Sequence, residues 1–277
     1  MFGNAENLTF SFEGKTVDYV AFGSGSRPIV LIPGLGDGLR TVKGMAGSFG
    51  FSYRALAEDA RVYCFSRVNE LCEGYTIMDM ADDLAAAIEG LGIAPAGIIG
   101  VSQGGMIAQE LALRRPDLIS RMVLMVTAPC AGAPADGVIA HWLELAEEGD
   151  MRGIMIDTAE RSYSEKYLLK TRPMYPFIGG LLRRKDLGRF IIQAKSCLSH
   201  DALDRLGNIS CPVLVIGGSE DRIVGAEASY LLAERIPGAK LHMYEGLGHG
   251  LYDETRAWQK ECADFLEGGG KYYPNET

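Results

Sequence analysis

The sequence predicts an α/β fold: a mostly parallel central sheet, helices on its faces, and a helical segment inserted late in the chain. Three observations predict it. Apolar runs at 28–32, 122–126 and 213–216 are continuous rather than alternating, as in strands covered on both faces. Segments of helical period separate such runs, the clearest at 77–91, where Met80, Leu84, Ala87, Ile88 and Leu91 share one face. Between Ala128 and Asp204 only helical patterns appear, over a stretch too long for a plain connection.

In chain order, residues 8–12 and 17–22 alternate in polarity around Glu13-Gly14-Lys15 and read as a hairpin. The turn at 23–26 leads into the buried run 28–32, which ends in Pro33-Gly34-Leu35-Gly36-Asp37-Gly38. A short strand at 61–65 precedes the helix 77–91. Ile98 and Ile99 mark the next strand. Helical spacing of Met106, Ile107, Ala108, Leu111 and Ala112 follows and stops at Pro116. After the strand 122–126, helices are expected around Trp142 and Leu145, at 154–163, at 167–170 and at 190–197. The strand–helix rhythm resumes with a strand at 213–216, a helix at 226–235, a strand at 240–244 and one last helix at 254–266. The expected organisation is a core of 1–127 and 205–267, a helical cap of 128–204 and a flexible tail of 268–277. A separate small helical domain is the alternative to a cap; the resumed rhythm favours the cap.

Composition narrows the function. The 277 residues are 47% hydrophobic and 23% charged, ordinary for a globular protein. A net charge of −9 argues against nucleic acid or an anionic membrane as partner. Residues 1–7 lack a basic patch before an apolar run, and no run is long enough to span a bilayer, so a cytoplasmic location is expected. Cys64, Cys72, Cys130, Cys197, Cys211 and Cys262 show no C-x-x-C or zinc-ligand spacing. They read as scattered reduced core thiols, and no metal or organic cofactor is implied.

The chemistry concentrates at Gly100-Val101-Ser102-Gln103-Gly104, a G-x-S-x-G turn between a strand and a helix. Such a turn strains the serine backbone, and glycines on either side keep a Cβ out of the opposing arm. The alternative is a glycine-rich turn with an incidental serine. A serine hydroxyl needs a base and the base an orienting acid. Of the four histidines, His242 lies within a strand pattern, and His141 and His200 fall in or beside the inserted segment. His249, in Glu245-Gly-Leu-Gly-His-Gly250, sits in a glycine-rich loop after the last strand and is the expected base; a solvent-facing loop histidine is the other reading. The strand 213–216 ends at Glu220 and Asp221. Asp221 is preferred as the acid, with Asp136 a weaker candidate; alternatively both Glu220 and Asp221 cap the helix near Val224. The N–H groups of Leu35 and Gln103 are the expected donors to an oxyanion. The loop 33–38 is not a phosphate loop, because no Gly-Lys-Ser/Thr follows and the G-x-G-x-x-G spacing fails.

Four stretches together carry a resemblance: Pro33-Gly-Leu-Gly36, Gly100–Gln109, Gly217-Gly-Ser-Glu-Asp-Arg-Ile-Val224 and Gly248-His249. Over nearly its whole length the chain resembles the α/β-hydrolase superfamily, whose sheet carries its triad in the order Ser, Asp, His. Gly100–Gln109 is also similar to enol-lactonase and carboxylesterase-like branches. The family usually has His where this chain has Pro33 before Gly34, which leaves the triad untouched and makes carry-over of a substrate less direct. Serine rather than aspartate at the turn argues against haloalkane dehalogenases. The resemblance implies an α/β-hydrolase fold and hydrolysis of a small or medium carboxylic ester or lactone through an acyl-enzyme on Ser102, His249 and Asp221. Carbon–carbon hydrolysis of a 1,3-dicarbonyl-type compound on the same triad is the alternative, and a slow-turnover ligand receptor is the reading from another class. The inserted segment is expected to close a mainly apolar pocket over Ser102, with Trp142, Met151, Ile154, Tyr163, Tyr167, Met174, Tyr175 and Phe177 among its large residues. Its Arg161, Lys166, Arg172, Arg183, Arg184 and Lys185 are expected on solvated surface or against an acidic substrate.

Overall fold

The computed structural model describes residues 4–178 and 186–268. The expectations for Phe177, Arg183, Arg184 and Lys185, and for the tail beyond Gly268, lie outside what it describes. One eight-stranded sheet runs through the molecule. Its strands are β1 (Glu6–Phe12), β2 (Lys15–Phe22), β3 (Arg27–Ile32), β4 (Ala60–Val68), β5 (Ala96–Val101), β6 (Ile119–Met125), β7 (Val213–Gly218) and β8 (Lys240–Tyr244), in the spatial order β1-β2-β4-β3-β5-β6-β7-β8. β1 and β2 form the antiparallel hairpin, β2 pairs antiparallel with β4, and every pair from there to β8 is parallel.

The parallel strands are apolar because both faces are covered. Ile29, Val30, Ile98, Ile99, Met122, Val123, Leu124 and Val215 have no exposed surface, and burying each such side chain contributes about 1.5–3 kcal/mol. The helices are α1 (Ala46–Ser52), α2 (Ile77–Gly90), α3 (Gln103–Arg114), α4 (Ala135–Glu147), α5 (Met151–Ser162), α6 (Glu165–Thr171), α7 (Tyr175–Ile178), α8 (Gly188–Leu198), α9 (Ala226–Arg235), α10 (Leu251–Glu254) and α11 (Ala257–Glu267). α2 buries Ile77, Met80, Leu84, Ala87 and Ile88 and starts at a reciprocal cap, Thr76 with Asp79, which stabilises it by about 1 kcal/mol. None of the described helices is long and apolar enough to cross a membrane.

Two expectations need correction. The last helix, expected from 254, starts at Ala257, and the short α10 stands before it. At Thr255 the backbone is extended, with φ −130° and ψ 155°, and its Oγ1 accepts from Ala257 N at 3.2 Å, which stops α10 and starts α11. The thiols are not all core groups either: Cys64, Cys197 and Cys262 are buried, whereas Cys72 is exposed and Cys130 and Cys211 lie between. The sequence reading also placed no helix between 38 and 61, where α1 and a short 3-10 turn at Arg54–Ala57 occur. The chain leaves β6 for α4–α8 and returns to β7, and its two crossing points touch: Cys130 bridges Asp201, Ala131 N donates to His200 O at 3.1 Å, and Ala202 N donates to Pro129 O at 2.8 Å.

Candidate active site

Parallel strands put their C-terminal loops along one edge of the sheet, where ligands of such folds bind. The loop after β3, the turn after β5 and the loops after β7 and β8 meet there. Ser102 has φ 52° and ψ −120°, a strained conformation for a residue with a side chain. The surroundings fix it: Ser102 N donates to Met125 O at 2.9 Å, and Thr127 Oγ1 donates to Ser102 O at 2.7 Å. Glycine is required on both sides of the turn. A Cβ at Gly100 would lie 2.5 Å from Gly104 O, and one at Gly104 would lie 2.0 Å from Ile32 O.

His249 and Asp221 are brought to this serine. Asp221 Oδ2 accepts from His249 Nδ1 at 2.8 Å, and Ser102 Oγ lies 3.0 Å from His249 Nε2. A carboxylate only accepts, so the proton sits on Nδ1 and the serine hydroxyl donates to Nε2. Burial raises the Asp221 carboxyl pKa. The charge His249 carries when protonated and its hydrogen bond, with the N–H groups of Ile223 and Val224, outweigh that and hold it below the usual carboxylate range. Asp221 therefore also makes the turn-capping bonds that were the rival reading of its role. Glu220 is exposed and contributes only its backbone, Glu220 N to Leu247 O at 2.9 Å.

Leu35 opens the 3-10 turn Leu35–Gly38 and Gln103 opens α3, so neither N–H has an acceptor inside its own helix. Gly34 passes so close that a Cβ there would lie 3.2 Å from Ser102 Cβ. The other candidates stand elsewhere. Asp136 accepts from Gly132 N at 2.9 Å. His141 is half-buried, 3.8 Å from Glu144. His242 bonds Glu261 at 2.7 Å. His200 is buried 3.7 Å from Glu110, whose carboxylate Arg205 already holds. Among the described residues no group of three His, Cys, Asp or Glu side chains could hold a metal ion.

A buried polar network beneath the site was missed in the sequence. Gln103 Oε1 accepts from Arg67 Nη2 at 3.0 Å, and its Nε2 donates to Gln193 O at 2.9 Å. Arg67 Nη2 also donates to Pro33 O. Asp37, with a side chain wholly buried, pairs with Arg189 at 2.7 Å and accepts from Gln193 Nε2 at 3.2 Å. Arg189 donates further to Val68 O at 2.6 Å and Arg67 O at 2.9 Å. Pro33, where a histidine was expected, thus uses its carbonyl as an acceptor within this network. Only Asp37, an acid in an otherwise apolar glycine loop, signalled it in the sequence.

Ser102 and His249 open on a cavity of about 360 Å³, lined mainly by apolar groups from both the core and α4, α5 and α8, including Met106, Ile139, Trp142, Phe190 and Trp258. Of the basic residues expected on the inserted segment, Arg161 pairs with Asp157 and Arg172 with Glu160 and Glu165, away from this cavity.

Residues 27–255 match the family model for the alpha/beta hydrolase fold. A pimeloyl-[acyl-carrier protein] methyl ester esterase of Neisseria meningitidis is 32% identical over 200 residues, 68% of this chain and 76% of that relative. A 2-hydroxy-6-oxononadienedioate/2-hydroxy-6-oxononatrienedioate hydrolase of Burkholderia vietnamiensis is 28% identical over 269 residues, 90% of each chain. In three dimensions the chain matches MGS-M2, an alpha/beta hydrolase enzyme from a Medee basin deep-sea metagenome library, with a TM-score of 0.84, 23% identity, and coverage of 98% of this chain and 100% of that one. The chain belongs to the alpha/beta hydrolase fold family and is an enzyme of that family.

Proposed function

We propose that the protein is a serine hydrolase that cleaves a small or medium carboxylic ester or lactone through an acyl-enzyme. One observation carries this reading: the Asp221–His249–Ser102 chain of 2.8 and 3.0 Å contacts ends at a mainly apolar cavity. Ser102 Oγ attacks the carbonyl carbon as His249 Nε2 takes its proton. The carbonyl oxygen becomes an oxyanion between the N–H groups of Leu35 and Gln103. Collapse expels the alkoxy group, which leaves with the proton from His249. Water then gives a proton to His249 and attacks the acyl carbon, releasing the acid and restoring Ser102. Asp221 holds the imidazole in the required tautomer throughout. Residues 128–204 act as the cap that keeps bulk water from this chemistry. The Neisseria relative's name supports the ester reading.

The Burkholderia relative's name supports carbon–carbon hydrolysis on the same residues as a second reading. A diacid of that kind needs cations, and among the described residues lining the cavity Arg40 is the single lysine or arginine. The ester reading is therefore preferred. The test uses 4-nitrophenyl esters from acetyl to dodecanoyl. Mass spectrometry should find an acyl adduct on Ser102, Ser102→Ala should lose on the order of 10³-fold in turnover, and kcat/KM should climb and then collapse at intermediate length. Each methylene that fits adds at most about 0.8 kcal/mol of binding. Wild-type turnover by Ser102→Ala would remove the serine from the chemistry, and a single stoichiometric burst without turnover would favour a ligand receptor.

A further inference from the structure

Tyr53 and Tyr252 both line the cavity beside Ser102, together with Phe49 and Trp258. The Tyr53 ring and the Tyr252 backbone are fixed by neighbours. Tyr53 packs edge-on against Phe49 at 5.2 Å and Trp258 at 5.8 Å between centroids, and Trp258 Nε1 donates to Tyr252 O at 3.2 Å. Three phenols elsewhere in the molecule are bonded to carboxylates: Tyr75 to Asp83, Tyr163 to Asp253, Tyr244 to Glu261. Neither the Tyr53 nor the Tyr252 hydroxyl has a hydrogen-bond partner among the described residues, and burial is the first cause that pushes the ionisation of each up. Two half-buried tyrosines on the wall of a catalytic cavity, their hydroxyls unpaired, are placed to bond an occupant. An anion fits poorly, because the carboxylates of Asp221 and Asp253 act on Tyr252 and, among the described residues lining the cavity, Arg40 is the single cation.

We propose that Tyr53 and Tyr252 form a recognition site for a second, uncharged oxygen function of the substrate, such as a ketone or hydroxyl remote from the scissile carbonyl. Resting on the ester- or lactone-hydrolase reading above, it deepens that reading by naming the substrate class: oxo- or hydroxy-substituted, not plain alkyl and not dicarboxylic. A site built to bond an oxygen discriminates against the analogue that lacks it, because its own hydroxyls then lose their partner.

The experiment compares matched esters: 4-nitrophenyl 5-oxohexanoate with its apolar isostere 4-nitrophenyl 5-methylhexanoate and with the anionic 4-nitrophenyl glutarate, and a second pair with the oxo group in the alcohol part. Wild-type enzyme should prefer the oxo member of at least one pair by about tenfold in kcat/KM. Tyr53→Phe/Tyr252→Phe, which keeps both rings, should erase or invert that ratio, with each single variant between. Isostere and oxo ester used equally well by the wild-type enzyme, a preference for the glutarate, or a ratio unchanged in the double variant would each overturn the proposal. Calorimetry on Ser102→Ala, with and without the tyrosine changes, reads binding of the same oxo esters without turnover. Binding lost with the hydroxyls supports the site even if the acyl-enzyme reading fails, and binding indifferent to them overturns it even if that reading stands.

Discussion

The inserted helices are tied to the core at two places, and the two ties are built differently. On one side α8 reaches the loop after β3: Arg189 and Gln193 hold Asp37, and the Gln193 carbonyl holds Gln103. On the other side the α5–α6 link reaches the loop that carries His249. Gly250 N donates to Ser162 O at 2.8 Å, Tyr163 Oη donates to Asp253 at 2.6 Å, Ser164 N donates to Glu254 at 2.7 Å, and Arg222 donates to Tyr163 O at 2.9 Å. The first tie grips the proposed oxyanion donors and the second grips the proposed base. The first centres on a carboxylate sealed from water and paired with a partly buried arginine, the second largely on single bonds near the surface. Cutting a sealed charge pair strands its partner, whereas water replaces a lost surface bond. The insertion is therefore expected to hold the oxyanion loop more firmly than the histidine loop.

The largest effect should come from breaking the sealed tie. Asp37→Ala takes the carboxylate from its pair with Arg189 and from the charge balance of the buried Arg67, and should cost about 3–5 kcal/mol in denaturant unfolding. Residual activity should show a lower kcat with a smaller change in KM. A loss under 1 kcal/mol would mean that the buried network is not the stronger tie.

Acid sharpens the comparison at the crossing point of the insertion, where His200 is buried against Glu110, Arg205 and Asp201. Burial, with Arg205 assisting and Glu110 and Asp201 opposing, pushes its pKa down to about 4 from 6.5. The folded state thus binds fewer protons than the unfolded one between those values. Stability is unaffected above pH 6.5 and falls as the pH drops towards about 4, by about 3 kcal/mol in all at 1.36 kcal/mol per unit. Asp221, held low, adds its own loss only as the pH falls below its unfolded value of 3.8. Urea midpoints between pH 7 and 4.5 should fall for the wild-type protein and fall less for His200→Gln; parallel slopes would clear His200.

The smallest effect belongs to the histidine side. Tyr163→Phe removes one hydrogen bond to Asp253 and should cost about 1 kcal/mol or less. Equal losses for Tyr163→Phe and Asp37→Ala would erase the distinction between the two ties.

What could be read from the sequence and what could not follows the same division. Gly100, Ser102 and Gly104 are legible because the turn's steric demands fall on residues two apart, and His249 because glycines flank it in the chain. Gln103 bonds residues 36 and 90 positions away, and Arg189 reaches Asp37 across 152, so no local period or spacing encodes their meeting. α1 escaped notice for another reason. Ala46–Ser52 is seven residues long and contains Gly47 and Gly50, so it shows neither propensity nor one apolar face, and it is held against β1 and β2, where Ala46 N donates to Asn7 and Gly50 lies on Phe22. The aromatic wall at Phe49 and Tyr53 went with it.

The adjacency of Cys130 and Asp201 has a bearing on inheritance and engineering. A segment that leaves and rejoins a sheet at touching points can be exchanged for another of different length without moving a strand, so this is where a family diversifies at low risk. Here the exchange carries a condition. A transplanted segment would have to supply its own cation for Asp37 and its own acceptor for Gln103, or the recipient would have to give up that aspartate in the same step. Position 37 and the helix that meets it should therefore change together across descendants of this chain, although 151 residues separate them from Asp37 to Arg189.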